Sequence, residues 1–331
     1  MICVIIGQNV YSMNRYVIAA FVIVVLMIPV SFFWHDLQRV FGNKLPVVEA
    51  GMNGDQPKKD KKEKKKKEDK KEEKTAEAPP STNVLVTQKW SMPKELTEIS
   101  GMAFLGNNQF ACIQDEDGSI FIYNTATNKV DKEIPFGKHG DYEGIAVVGS
   151  TAYVLRSDGT LFEVTNYLGN NPSTQKYKTS LTSQQDVEGL CYDKNNNRLL
   201  LAIKGIDSHS NDYKGIYAFN LSTKQLAPNP VYKIDLNDKI WDDLKEKKAQ
   251  HRMQPSDIAI HPTTGDLYLV DGPRPKLLVM DTQGHLKRVY NISRADFKQP
   301  EGLSFTPAGE LYISSEGVEG AGVLARVEIE N

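Results

Sequence analysis

A short acidic sequence recurs along this chain: ISGMA at 99–103, YEGIA at 142–146, VEGLC at 187–191, PSDIA at 255–259 and PEGLS at 300–304. Glu143, Glu188 and Glu301 occupy equivalent places in it, and Asp257 belongs to the fourth copy. Carboxylates are hard oxygen ligands, and without Cys or His beside them they suit Ca2+, which takes 6–8 oxygens, or Mg2+. If brought to one place they repel each other unless a cation, a basic side chain or protonation intervenes. The chemistry therefore depends on whether the fold brings the copies together.

The spacing implies that it does. Ser100 to Glu143 is 43 residues, followed by 45 to Glu188, 68 to Ser256 and 45 to Glu301. A period in the forties filled with short strands is the mark of a β-propeller blade. Each copy is followed by a second apolar run (109–113, 152–155, 198–203, 266–270, 310–314) and, after a turn, a third (119–123, 160–164, 215–219, 276–280, 323–327). Fourth strands fit near 130–134, 175–179, 231–235 and 287–292. The excess in the 68-residue unit is the polar segment IWDDLKEKKAQHRM (240–253), which is expected to be helical.

The fifth unit ends after its third strand, while VLVTQKW (84–90) is a strand without a blade. Pairing the two closes the ring and removes exposed sheet edges. The expected fold is all-β, a propeller of five blades with four antiparallel strands each. Six blades is the alternative if the insertion hides a degenerate one.

In such a blade the innermost strand and its neighbour are antiparallel, so the start of one and the end of the other open on the same face. Glu143, Glu188, Asp257 and Glu301 begin innermost strands; Asp115, Asp117, Arg156, Lys204, Asp271 and Glu316 follow second strands. Both sets are expected at one mouth of the central channel, with Glu143, Glu188 and Glu301 as the metal ligands and the rest lining the mouth. Two other readings stay open. The glutamates accept backbone N–H bonds from a neighbouring blade, repeated because the blade repeats. Alternatively, Arg156 and Lys204 neutralise the acids without a metal.

The glycines after Glu143, Glu188 and Glu301 read as close packing near the axis. Asp115-Glu116-Asp117-Gly118 resembles the start of a calcium loop, but Ala126 stands where an EF-hand needs its last glutamate. His139 and His261 have no nucleophile at a recognisable spacing, and no G-x-S-x-G is present. No catalytic residue is assigned.

The units E-G-[ILM]-[AS], the segment HPTTGDLYLVD (261–271) and the closing QPEGLSFTPAGELYISSEG (299–317) resemble the SdiA-regulated family of β-propellers. More distantly they are similar to phytase-like and strictosidine-synthase/gluconolactonase-type propellers. The resemblance spans 84–331. It implies a membrane-associated, extracytoplasmic propeller, in some members with calcium, and no established reaction.

Ahead of the repeat lies a different kind of sequence. Tyr16–Trp34 is an almost unbroken apolar run, long enough to cross a bilayer as a helix. No small-residue processing site follows Phe33, which favours an uncleaved signal anchor over a cleaved signal peptide. Met13 before Asn14 and Arg15 is an alternative start. Residues 1–81 carry 14 Lys and Arg against 10 Asp and Glu, a net +4, so the whole-chain −2 leaves −6 for the rest. The Lys/Glu run at 58–74 is solvated and reads as a spacer. The expected organisation is thus an N-terminal segment (1–15), a transmembrane anchor (16–34), a charged spacer (35–82) and the propeller (83–331).

A mildly acidic body gives no basis for nucleic-acid binding, which needs clustered positive charge. The three cysteines, Cys3, Cys112 and Cys191, build no disulfide framework and no zinc spacing. The favoured function is a membrane-anchored binding or scaffold module, outside the cytoplasm (periplasmic in a Gram-negative host), that presents a Ca2+ or Mg2+ site to a small ligand or a protein. The alternative is a metal-dependent hydrolase of lactones, esters or phosphoesters. Oligomeric state is not set by these residues.

Overall fold

The computed structural model describes residues 84–244 and 246–330. The first strand, β1 (Val84–Ser91), waits for a partner from the far end of the chain. Blade 1 pairs β2 (Ile99–Gly106), β3 (Gln109–Gln114), β4 (Ser119–Asn124) and β5 (Lys129–Pro135) in order. Blade 2 does the same with β6 (Tyr142–Val148), β7 (Thr151–Arg156), β8 (Leu161–Thr165) and β9 (Ser173–Tyr177). In blade 3, β10 (Val187–Asp193) and β11 (Arg198–Ile203) lead to β12 (Tyr213–Asn220), whose outer edge is shared by β13 (Gln225–Leu226) and β14 (Tyr232–Asp235). Blade 4 is β15 (Pro255–Ile260), β16 (Leu267–Asp271), β17 (Lys276–Met280) and β18 (Leu286–Asn291). Blade 5 is β19 (Gln299–Phe305), β20 (Leu311–Glu316) and β21 (Val323–Ile329), completed by β1.

The ring therefore closes as the sequence implies. Strand β1 runs antiparallel to β21 from Val84↔Ile329 to Ser91↔Val323. Met92 N–H donates to Gly322 O at 2.7 Å just beyond, and Trp90 Nε1 donates to Thr125 O of blade 1 at 3.0 Å. All strand pairings are antiparallel, and there are five blades rather than six.

Period-two alternation makes each strand serve two cores. In β3, Phe110 and Cys112 face the cluster shared with blade 5, while Ala111 and Ile113 face the one shared with blade 2. Five such apolar clusters lie between successive blades. The propeller thus carries its own cores and its own closure, the requirements for folding alone.

The 240–253 segment differs from expectation. It holds two single-turn 3-10 helices, Lys239–Trp241 and Ala249–His251, rather than one longer helix. Buried Trp241 and Met253 pin its two ends to the core between blades 3 and 4. The charged residues between them offer no apolar stripe for a longer helix to bury.

The anchor (16–34) and spacer (35–82) expected from the sequence lie outside the described residues. Among the described residues, no helix is long and apolar enough to cross a membrane.

Candidate functional site

Every innermost strand begins with the same irregularity. The register with the second strand skips one residue between Ile99 and Gly101, Tyr142 and Gly144, Val187 and Gly189, Pro255 and Asp257, and Pro300 and Gly302. The skipped residues are Ser100, Glu143, Glu188, Ser256 and Glu301, the motif positions themselves. A bulge leaves its extra residue outside the ladder and re-aims the side chain. Close packing holds the bulges in place: a Cβ on Gly144 would meet Leu190 Cβ at 2.6 Å and Glu188 O at 2.7 Å. No side chain fits there, which accounts for the glycine.

At this end of the channel lies a cavity of about 170 Å³ lined by Glu98, Asp115, Asp141, Glu143, Glu188, Glu301 and Glu316, with Gln299, Ser100, Ile99 and one cation, Lys204. Lys204 Nζ donates to Glu188 Oε1 at 2.6 Å. Glu188 is 4% exposed and its other oxygen, Oε2, has no partner among the described residues. Asp115 Oδ1 is buried and without a hydrogen-bond partner in the same way. Gln299 Nε2 donates to Glu316 Oε2 at 2.5 Å, and Ser157 Oγ donates to Asp141 Oδ2 at 2.5 Å.

Crowded, half-dry carboxyls hold protons. Burial, then the negative charges of Asp141 and Glu301, push Glu143 up to about 9. Burial pushes Glu301 up to about 7 against the pull of Lys204. Burial and then Glu98 and Glu316 push Asp115 up to about 6. Glu188 is raised by burial and by Glu143, with Lys204 opposing. Burial disfavours the Lys204 ammonium, but Glu188 and Glu301 outweigh it and hold its pKa above the ordinary lysine range.

Of the residues named from the sequence, Glu143, Glu188, Glu301, Asp115, Lys204 and Glu316 thus share one chamber. The other four do not line it. Asp117 is on the surface beside His139, at 3.4 Å. Arg156 forks onto Asp158 at 3.0 and 2.7 Å, so its charge is used next door in its own turn. Asp271 is fully buried against Lys276 Nζ at 2.6 Å.

Asp257 stands at the glycine position of its copy, one residue past the bulge. Its carboxylate accepts from Leu190 N at 3.2 Å, Ile258 N at 2.8 Å and Leu303 N at 2.7 Å. The backbone-accepting role foreseen for the glutamates belongs here, where one side chain ties blades 3, 4 and 5 together near the axis.

Glu98, Asp141 and Gln299 escaped the sequence reading. They share a signal, since each stands two residues before the motif position, where Asp186 and Gln254 stand in the remaining copies.

The donors facing the chamber are oxygens and one ammonium. Among the described residues no three His, Cys, Asp or Glu side chains are already drawn into a metal cage. Binding a cation here would require the carboxylates to close in.

No curated protein matches this chain in sequence. Its fold is similar to the crystal structure of Myxococcus xanthus glutaminyl cyclase, at 16% identity and a TM-score of 0.52, over 75% of this chain and 96% of that one. It is also similar to the PQQ-bound aldose sugar dehydrogenase of Streptomyces coelicolor, at 11% identity and a TM-score of 0.45, over 76% and 99%. A Bacteroides thetaiotaomicron protein of unknown function is similar at 15% identity and a TM-score of 0.46, over 70% and 58%. At these identities the likeness is one of fold. The family model described as SdiA-regulated matches residues 85–318, most of the propeller and more than half of the whole chain. With its five bulged motif copies inside that span, the chain belongs to the SdiA-regulated family.

Proposed function

We propose that the protein is a binding module, anchored through residues 16–34 and spaced by 35–82, whose propeller outside the cytoplasm takes a hard divalent cation, calcium first, at the acidic mouth. One observation carries this reading: carboxyl groups from Glu98 to Glu316 face a single lining cation, Lys204, in a cavity of about 170 Å³. An uncompensated cluster of acids in a low-dielectric site favours any cation that can enter. Oxygen-only donors suit Ca2+ or Mg2+ over softer metals. Glu143, Glu188 and Glu301 are the ligands proposed, with Asp115 and Glu316 beside them. A bound ion would complete the free oxygen of Glu188.

Calorimetric titration of calcium into residues 81–331 tests the site. Saturable binding at millimolar or tighter affinity is expected, with a higher melting temperature that excess chelator reverses. Glu188→Gln, destabilised by loss of its pair with Lys204 but read on its folded state, should blunt that response. Absence of both calcium and magnesium binding would leave Lys204 as the only counter-charge and refute the metal reading. The anchor is tested separately: an export-dependent reporter fused after Asn331 should be active and membrane-bound, and a cytoplasmic propeller would reject the topology.

A hydrolytic reading has one observation in its favour. Glu143 and Glu301, both raised by burial, line one chamber with Lys204. One group holding a proton while a neighbour has lost it is the arrangement acid–base chemistry uses. Turnover of lactone, ester or phosphoester substrates that disappears in Glu143→Gln would establish it.

A further inference from the structure

The channel has a second mouth of opposite character. Beyond the middle of the innermost strands it widens into a cavity of about 500 Å³. Its floor is Met102, Ile145, Leu190, Ile258 and Leu303, one from each blade, and each is 3% exposed or less. Two residues further along, Phe104, Val147, Tyr192, Ile260 and Phe305 form a half-buried ring at the opening. The floor is braced from below by Asp257, which holds the N–H groups of Leu190, Ile258 and Leu303. None of the seven acids of the other mouth lines this cavity.

Such a volume and lining match a small-molecule pocket, in which apolar walls hold the body of a ligand and a few polar groups fix its head. Ser304 and Thr306 line it too, but the charged side chain there is Lys194, which is exposed and makes no ion pair among the described residues. The neighbouring Asp193 is occupied by Arg198 at 2.8 Å. An apolar well with one free ammonium at its lip complements an apolar chain that ends in an anion.

We propose that this second mouth binds a free medium-chain acyl carboxylate, with the chain in the well and the carboxylate at Lys194. The two mouths are then separate sites, a cation site and an acyl-anion site, back to back across the Asp257 brace.

The test is calorimetric titration of dodecanoate into residues 81–331, which the closed ring allows to fold without the preceding segment. Saturable one-to-one binding is expected. Hexanoate should bind more than about a hundredfold more weakly, since six buried methylenes are lost. Dodecylammonium and the Lys194→Glu variant with dodecanoate should each show at least about a tenfold loss, as expected when attraction becomes repulsion. Val147→Glu, which puts a negative charge into the half-buried ring, should abolish binding. If that variant does not fold, Cys191 replaces it as the reporter. Cys191 lines the well and is half-buried while Cys112 is fully buried, so bound dodecanoate should further slow the alkylation of Cys191. Equal binding of dodecanoate and dodecylammonium, indifference to Lys194→Glu, no protection of Cys191, or association only with anionic vesicles would each overturn the proposal.

Discussion

Lys204 Nζ donates to one oxygen of Glu188 at 2.6 Å, while the other oxygen of the same carboxylate is buried with no partner. The pair is thus half-satisfied, and its partners are unequal in number: one ammonium meets the carboxyls of every blade that reaches the chamber. Removing either member of a buried pair costs far more than the pair itself contributes, because a lone charge is left behind.

Lys204→Met should accordingly destabilise the propeller by about 3–5 kcal/mol, the usual cost of stranding one partner. Adding Glu188→Gln to it should restore part of the loss. Urea denaturation of the two single variants and the double variant gives the coupling directly. A loss below about 1 kcal/mol, the level of a surface pair, would mean that Lys204 is not the counter-charge of the chamber.

Stability without metal should fall as pH rises. Asp115, Glu143 and Glu301 have folded values of about 6, 9 and 7, above their ordinary values of 3.8, 4.5 and 4.5. Between those limits the folded state holds more protons than the unfolded one, so raising the pH favours unfolding. The decline should be steepest from about pH 4.5 to 6, where all three contribute, and continue more gently above 7 on Glu143 together with Glu188 and Asp257, which burial also raises. From about pH 8 it meets an opposing slope from Lys214, which burial lowers to about 8. Denaturation midpoints across this range test the profile, and Glu143→Gln should flatten it.

Calcium should reverse that trend if it binds at the mouth. A metal needs the carboxylates deprotonated, so its stabilising increment should grow over the same interval in which the metal-free protein weakens. Melting curves at pH 5 and pH 8, each with calcium and with chelator, make the comparison. An increment equal at both values would place the ion elsewhere.

Asp257→Ala should be among the most damaging single changes. It strands the N–H groups of Leu190, Ile258 and Leu303, and each buried donor left without a partner costs about 1–3 kcal/mol. Asp257→Asn, which keeps one acceptor oxygen, should fall between Ala and the native residue. Hydrogen exchange at Leu190 and Leu303 should quicken in both variants.

A chain beginning at Ser91 should melt about 10 °C or more below one beginning at Ser81, or fail to stay monomeric. It loses the whole β1 ladder and bares the edge of β21. Equal melting temperatures would show that blade 5 is stable with three strands.

The blade count and strand order were legible in the sequence because both follow from periodicity. A repeat of 43–45 residues and period-two apolar runs survive any local irregularity. The chamber was legible as far as equivalent positions go, which is why Glu143, Glu188, Glu301, Asp115, Lys204 and Glu316 emerged together. Asp257 was misplaced because the bulge separates neighbours: position 256 is the residue left outside the ladder and 257 is the next one along, and a one-residue step in a strand reverses a side chain's face. Arg156 and Asp271 were drawn elsewhere by Asp158 and Lys276, partners whose reach is a matter of rotamers. The 240–253 segment followed its buried ends rather than its composition.

The pairing of β1 with β21 also sets a timetable. Val84 and Ile329 are neighbours in the folded ring but lie 245 residues apart (329 − 84) in the chain. A chain that emerges from its amino end can assemble blades 1 to 4 as they appear, yet blade 5 must leave a slot open until the last strand arrives. Contacts of such long sequence separation form late and slowly. Throughout that interval β1 is an unclaimed strand, open to pairing with another copy of itself. A ring closed in this way depends on β21 following β1 promptly, and mutations that delay β21 should be seen first as aggregation rather than as lost binding.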